Sequence, residues 1–194
     1  VPCLPRPVSH SNDWIKPLLD SGADGIIAPL VSSKEASKNL INLVKFPPEG
    51  NRSFGVNRAH GYGTDFNYYL SKWNDNSIYI SQIETKLGVQ NISQIVESTE
   101  LDGVMIGPYD LSGSLGVPGD IQNKLVRESE ELVIEACRKA GKSCGTQIAN
   151  FTSENIKNAL NKGYNFIIAS SDLFVLNSWA ESAEELMVQS RNAK

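Results

Sequence analysis

Short apolar runs that stop at a turn or a polar residue alternate with helical stripes along the whole chain. Leu125, Leu132, Val133, Ala136 and Cys137 form the clearest helical stripe. Six runs have the composition of strands: Pro2–Arg6, Ile26–Pro29, Ile78–Ile83, Val104–Ile106, Ser143–Ile148 and Phe166–Ala169. Regular alternation of strands and helices predicts an α/β fold with a parallel sheet.

Two architectures fit this alternation, a doubly wound open sheet and a (β/α)8 TIM-type barrel. The polar residues that follow the strands favour the barrel, whose active residues come from several strand ends on one face. Six units cannot close an eight-stranded barrel. We therefore expect residues 1–194 to form one N-terminally incomplete barrel domain that lacks its first two βα units. The natural polypeptide would then extend roughly 50–70 residues upstream of Val1.

Composition narrows the function classes. The net charge of −4 and the scattered basic residues argue against a nucleic-acid partner. No apolar run approaches the length of a membrane span, and no signal peptide is visible. Cys3, Cys137 and Cys144 form no CxxC pair, which suits the reducing cytoplasm.

Two acids follow successive predicted strands, Glu84 after Ile78–Ile83 and Asp110 after the Gly107-Pro108 turn. Because parallel strands end at the same edge of a sheet, the two carboxylates should lie side by side. Two carboxylates with waters and substrate oxygens make the open octahedral site that Mg²⁺ or Mn²⁺ prefers. Taken singly, Asp110 could cap a helix and Glu84 could be a surface acid.

Other residues are open to two interpretations. Gln82 alternates with Glu84 and could hold a substrate carbonyl or fill the barrel. Arg6 ends the first predicted strand and could contact a carboxylate or enolate, or lie on the surface. His10 and His60 have no acidic residue at a spacing that would indicate a catalytic pair. A Schiff-base role for Lys86 stays open.

Several segments together resemble a known family. They are Gln82–Thr85, Ile106–Ser112, Gly22–Pro29 and Phe46–Gly50. The chain is similar across nearly its whole length to the HpcH/HpaI aldolases, the class II metal-dependent pyruvate aldolases of the phosphoenolpyruvate/pyruvate-type barrels. The resemblance implies reversible aldol cleavage of 4-hydroxy-2-oxo acids to pyruvate and an aldehyde through a metal-bound enolate. It also implies a homo-oligomer, hexameric or dimer-based.

The resemblance implies a role for each matching residue. Glu84 and Asp110 would bind the divalent metal, and Gln82 would lie close to the pyruvate moiety. Arg6 would steady the developing enolate. The substrate carboxylate would be held by the backbone amides of Tyr109 and Asp110. Asp20 matches the acid that partners the general-base histidine.

The sequence departs from the family pattern at the general-base histidine, which in the family stands at the end of the second strand. His10 and His60 do not match its position. We therefore expect either a fragment of a longer enzyme or a degenerate, inactive version. Rival functions are a citryl- or malyl-CoA-type carbon–carbon lyase, although no basic cluster for nucleotide phosphates is obvious, and a truncated assembly or regulatory subunit.

Overall fold

A five-stranded parallel sheet forms the centre of the structure, a computed structural model that describes residues 1–192. Each strand pairs with the next strand along the chain, in the order β1-β2-β3-β4-β5. The strands are β1 (Gly25–Ala28), β2 (Ile78–Ile83), β3 (Gly103–Ile106), β4 (Ser143–Ile148) and β5 (Phe166–Ala169).

Helices alternate with the strands along the chain, and the helix at Lys124–Ala140 carries the predicted stripe, whereas the glycine-rich stretch after Pro108 also forms a helix. They are α1 (Asn12–Asp20), α2 (Lys34–Val44), α3 (Phe66–Asn76), α4 (Lys86–Gln90), α5 (Ile92–Ile95), α6 (Pro108–Ser114), α7 (Lys124–Ala140), α8 (Ser153–Lys162) and α9 (Asp172–Asn192). A 3-10 segment, Arg58–Gly63, precedes α3. Gly141 ends α7 in the left-handed conformation, with φ of 67°.

The order of the strands decides between the two predicted architectures. A doubly wound sheet reverses its strand order at a switch point, whereas a barrel adds each strand beside the previous one. Here the order is sequential and all four pairings are parallel. The sheet is a curled half-barrel, consistent with part of a TIM-type barrel.

The two faces of the sheet carry cores of unequal size. The larger core lies between the sheet and the helices and includes Ile26, Tyr79, Val104 and Cys144. A smaller cluster of Ile27, Ile80 and Met105 lies on the other face, where Leu4 and Phe166 pack against it. Helices on one face and a compact layer of side chains on the other are typical of a barrel wall and its interior.

The predicted strand at Pro2–Arg6 is wrong. This stretch lies beside β1 and accepts two hydrogen bonds. Asp24 N, just before β1, donates to Cys3 O at 2.9 Å, and Ile27 N of β1 donates to Pro5 O at 3.1 Å. Pro2, Pro5 and Pro7 carry no amide hydrogen and cannot donate in return, so no regular ladder forms. The chain therefore covers the edge of β1 without becoming a sixth strand.

The last helix, α9, is the least buried of the described helices. None of its residues is buried, and Trp179 and Leu186 are 71% and 64% exposed. Among the helices of residues 1–192, none combines the length and the apolar character needed to cross a membrane.

Candidate active site

Glu84 lies immediately after β2, with both of its carboxylate oxygens in hydrogen bonds. Oε1 accepts from the backbone amide of Leu30 at 2.7 Å, and Oε2 accepts from Nε2 of Gln82 at 2.6 Å. Gln82 and Glu84 are 2% and 3% exposed. The side chains of Gln82 and Glu84 therefore lie on the same side of the chain, as predicted, even though β2 ends at the residue between them.

Asp110 lies next to Glu84, in the first turn of α6. The N-cap of α6 is Gly107, so Asp110 is not the helix cap that its position after a strand could also indicate. Burial raises the pKa of the Glu84 carboxyl above its ordinary value. The neighbouring Asp110 carboxylate raises this pKa further, whereas the Leu30 amide lowers it. The structure therefore brings the two predicted carboxylates together.

Gly107 makes room for this pair. A Cβ atom at Gly107 would lie 2.7 Å from Oε2 of Glu84 and 2.9 Å from Nε2 of Gln82. Both distances are too short for a carbon atom, so a Cβ there would displace the polar side chains. Glycine at the end of β3 therefore lets Gln82 and Glu84 keep these hydrogen-bonded positions.

Arg6 joins the same network through Gln82. Its Nη1 donates to Oε1 of Gln82 at 3.3 Å, while the amide nitrogen of Gln82 contacts Glu84. Gln82 thus links the guanidinium to the carboxylate, with its acceptor toward the cation and its donor toward the anion. Arg6 is exposed even though the amide that it contacts is buried.

A cavity of about 660 Å³ opens beside these residues. Arg6, Gln82, Tyr109 and Asp110 line one part of it, and Gln147 of β4 lines another. Tyr109 and Asp110 occupy the first turn of α6, where backbone amides have no partner within the helix. Their predicted contact with a substrate carboxylate stays a prediction.

Asp20 lies elsewhere. It ends α1, which precedes the amino end of β1, and its Oδ1 accepts from Nη2 of Arg52 at 2.9 Å. The Arg52 guanidinium lies over the rings of Phe46 and Trp73, 4.6 and 4.4 Å from their centroids. Within the described chain, the structure does not bring Asp20 to Glu84 and Asp110.

Among the described residues, the side chains of the two histidines and Lys86 form no hydrogen bond with Glu84 or Asp110. His60 is buried, and its ring nitrogens contact the backbone of Gly55, Asn57 and Gly63. The Nε2 atom of His10 lies 2.5 Å from the carbonyl oxygen of Pro29. Lys86 is exposed at the start of α4.

Sequence reasoning missed two participants, Leu30 and Gly107. Leu30 contributes a backbone amide and Gly107 contributes the absence of a side chain, so neither has a residue-type signature. The Gly-Pro turn at 107–108 did mark the correct place, as did the end of the second predicted strand at Pro29.

The fold and this edge of the sheet define a barrel-type α/β protein with a polar site at the carboxyl ends of its strands. The chain belongs to the HpcH/HpaI aldolase/citrate lyase family, whose model matches residues 3–178. The resemblance inferred from the motifs is thereby confirmed.

Individual relatives of the chain support this family membership. The 2-keto-3-deoxy-L-rhamnonate aldolase of Escherichia coli K12 is 37% identical over 142 residues, which are 72% of this chain and 53% of that protein. The Salmonella dublin protein of the same name is 32% identical over 179 residues, 91% of this chain and 66% of its own length. The chain thus spans about half the length of the first curated relative, at 53%.

Solved structures show the same fold. The HpcH/HpaI aldolase from Desulfitobacterium hafniense DCB-2 matches with a TM-score of 0.88 and 27% identity, covering 96% of this chain and 72% of that one. A HpcH/HpaI aldolase/citrate lyase family protein from Burkholderia cenocepacia J2315 gives a TM-score of 0.87 at 26% identity, covering 94% and 72%.

Proposed function

We propose that the protein is a divalent-metal-dependent aldolase that reversibly cleaves 4-hydroxy-2-oxo acids to pyruvate and an aldehyde. The observation that carries the proposal is the Glu84–Asp110 carboxylate pair, tied to Arg6 through the amide of Gln82. Family membership and the aldolase relatives support the reaction class.

The donor set fits Mg²⁺ or Mn²⁺. Within residues 1–192, no group of three or more His, Cys, Asp or Glu side chains is arranged to hold a metal ion. A pair of hard carboxylate oxygens is what Mg²⁺ sites commonly take from protein, because the ion retains waters and substrate oxygens. Two adjacent carboxylates, one of them buried, also gain from a cation that offsets their repulsion. A metal held by Glu84 and Asp110 would supply Lewis-acid polarisation of the substrate oxygens.

The side chains of the chain itself would orient and stabilise pyruvate. In cleavage, the C4 hydroxyl of the oxo acid loses its proton as its carbon becomes the aldehyde carbonyl, and the C3–C4 bond breaks. Its electron pair stays on the pyruvate portion as an enolate, which then takes up a proton at C3 to give pyruvate. Arg6 lies at the cavity and presents a planar guanidinium that matches developing oxygen charge. Gln82 holds that guanidinium beside the carboxylates, so the positive charge is fixed before substrate binds.

The rival thioester lyase receives less support from the cavity. A nucleotide carrier would call for several cations along the wall, whereas the described lining residues include only Arg6 and Lys162. Nζ of Lys162 donates to Oε2 of Glu130 at 3.0 Å, so its charge is already paired.

The test uses the full-length protein, stripped of metal and titrated with Mn²⁺ by calorimetry. We expect Glu84→Ala and Asp110→Ala to abolish Mn²⁺ binding and pyruvate release from 2-keto-3-deoxy-L-rhamnonate, with the circular dichroism spectrum retained. Glu131→Ala, an exposed acid of α7, is the matched control. Undiminished Mn²⁺ affinity in both site variants would exclude the site, and a metal-binding protein that releases no pyruvate from any 4-hydroxy-2-oxo acid would contradict the activity.

A further inference from the structure

Leu30 has a backbone conformation that its residue type disfavours. Its φ is 54°, in the left-handed region that glycine and asparagine tolerate and other residues avoid. The Leu30 side chain is 56% exposed, so its own burial does not account for the conformation. A strained residue that is held without side-chain packing calls for a reason in the backbone.

The left-handed turn aims two consecutive amides at the end of β2. The Leu30 amide donates to Oε1 of Glu84 at 2.7 Å, and the Val31 amide donates to the carbonyl oxygen of Gln82 at 3.1 Å. In an extended strand, successive amides point to opposite sides, and a left-handed residue lets neighbouring amides converge. The conformation at Leu30 is thus what allows both donors to face one strand.

Contacts on both sides hold the turn in place. Before it, the His10 ring lies 2.5 Å from the Pro29 carbonyl oxygen. After it, the Ser32 hydroxyl contacts the Thr85 hydroxyl at 2.7 Å, and Nδ2 of Asn91 donates to the Ser32 carbonyl at 2.8 Å. Strain persists only where the surroundings over-determine it, and these three contacts do so here.

We propose that Leu30 is a positioning residue whose left-handed backbone fixes the Glu84 carboxylate in its metal-binding orientation. This inference rests on the proposed metal site. With Oε1 on the Leu30 amide and Oε2 on the Gln82 amide, rotation of the carboxylate breaks both hydrogen bonds. Each oxygen keeps a further lone pair for a cation. Partners of this kind orient metal ligands and affect affinity without touching the ion.

Substitutions at Leu30 separate the backbone from the side chain. Ile has the volume of Leu, but its β-branch excludes the left-handed region, whereas Gly and Asn accept that region and lack the apolar side chain. Leu30→Val is the smaller β-branched variant and replaces Leu30→Ile if the latter does not fold. Leu160→Ile is the control, because Leu160 is 53% exposed on the regular helix α8.

The measurement is Mn²⁺ affinity by calorimetry in the full-length protein, together with the melting temperature of the metal-free form. We expect Leu30→Ile to weaken binding about 10–100-fold, as loss of an orienting partner does, and Leu30→Gly and Leu30→Asn to stay within about threefold of wild type. The metal-free Leu30→Gly protein should melt no lower than wild type, because strain is relieved.

Two results would overturn the inference while leaving the metal site intact. One is wild-type affinity in Leu30→Ile, and the other is an equal loss in the Gly, Asn and Ile variants, which would assign the effect to the side chain. Wild-type Mn²⁺ affinity in Glu84→Gln would remove the metal site and this inference together, so the two failures are distinguishable.

Discussion

A methyl group on Gly107 would lie 2.7 Å from Oε2 of Glu84. We expect Gly107→Ala to push the carboxylate off its hydrogen bonds, weaken Mn²⁺ binding about 10–100-fold and cost about 1–3 kcal/mol of unfolding free energy through overpacking. Calorimetry and urea unfolding measure the two effects.

Gly113→Ala is the matched control. Gly113 lies in α6, and a Cβ there would meet nothing within 4 Å. Replacing glycine by alanine within a helix should leave metal affinity unchanged and raise stability by up to about 1 kcal/mol. Equal metal affinity in Gly107→Ala and wild type would contradict the steric role of Gly107.

Arg6 can be tested apart from aldehyde binding, because pyruvate–solvent proton exchange needs only the enolate. Arg6→Lys keeps the charge but loses the planar fork, so we expect exchange to fall by at least about tenfold. Gln82→Leu should lower the exchange rate too. The double variant should lose less than the product of the two single-variant fold-losses, since both residues act through one hydrogen bond. Exchange at the wild-type rate in Arg6→Lys would remove Arg6 from the mechanism.

Asp20 distinguishes a stabilising role from a catalytic one. The Arg52 side chain that it pairs is 1% exposed, so Asp20→Ala leaves a buried charge with one partner fewer. We expect a loss of about 2–4 kcal/mol in urea unfolding, with Asp13→Ala as the exposed control on the same helix. A fall in turnover without a fall in stability would instead favour the role beside the general base that the family resemblance implies.

Stability should decline at alkaline pH because of Tyr79. Burial raises the pKa of the Tyr79 phenol from 10.0 to about 12. Between these values the unfolded chain releases the proton and the folded chain retains it, so stability is lost as pH rises, by up to about 3 kcal/mol at 1.4 kcal/mol per pKa unit.

Tyr79→Phe isolates that dependence. The variant loses the hydroxyl that accepts from Ser81 Oγ at 3.0 Å, so it should be less stable than wild type near neutral pH. The difference should narrow above about pH 10, because wild type alone carries the ionisation cost of the Tyr79 phenol. Tyr68→Phe, at a residue that is 71% exposed, should follow the wild-type pH profile. Parallel curves for wild type and Tyr79→Phe would contradict the assignment.

The sequence predicts the sheet more completely than it predicts the site. Apolar runs predict all five strands, and the common edge of parallel strands predicts that Glu84 lies beside Asp110. Pro2 and Pro5 lie in the apolar run Pro2–Arg6, but their missing amide hydrogens keep that run from becoming a strand.

Main-chain roles explain what was not anticipated at the site. The Leu30 amide and the space over Gly107 depend on backbone geometry, which residue type does not encode. Asp20 was matched by its motif alone, and a motif says nothing about the distant Arg52 that pairs with it.

The proline-rich stretch beside β1 also bears on aggregation. An exposed strand edge offers a row of amides on which another chain can template a new strand. On one side of the sheet, residues 2–7 cover that edge with three prolines that cannot donate. On the other side, β5 has no further strand paired to it among residues 1–192, and Phe166–Ala169 contains no proline. Within residues 1–192, the two edges of the sheet therefore differ in how well they are protected against the addition of another strand.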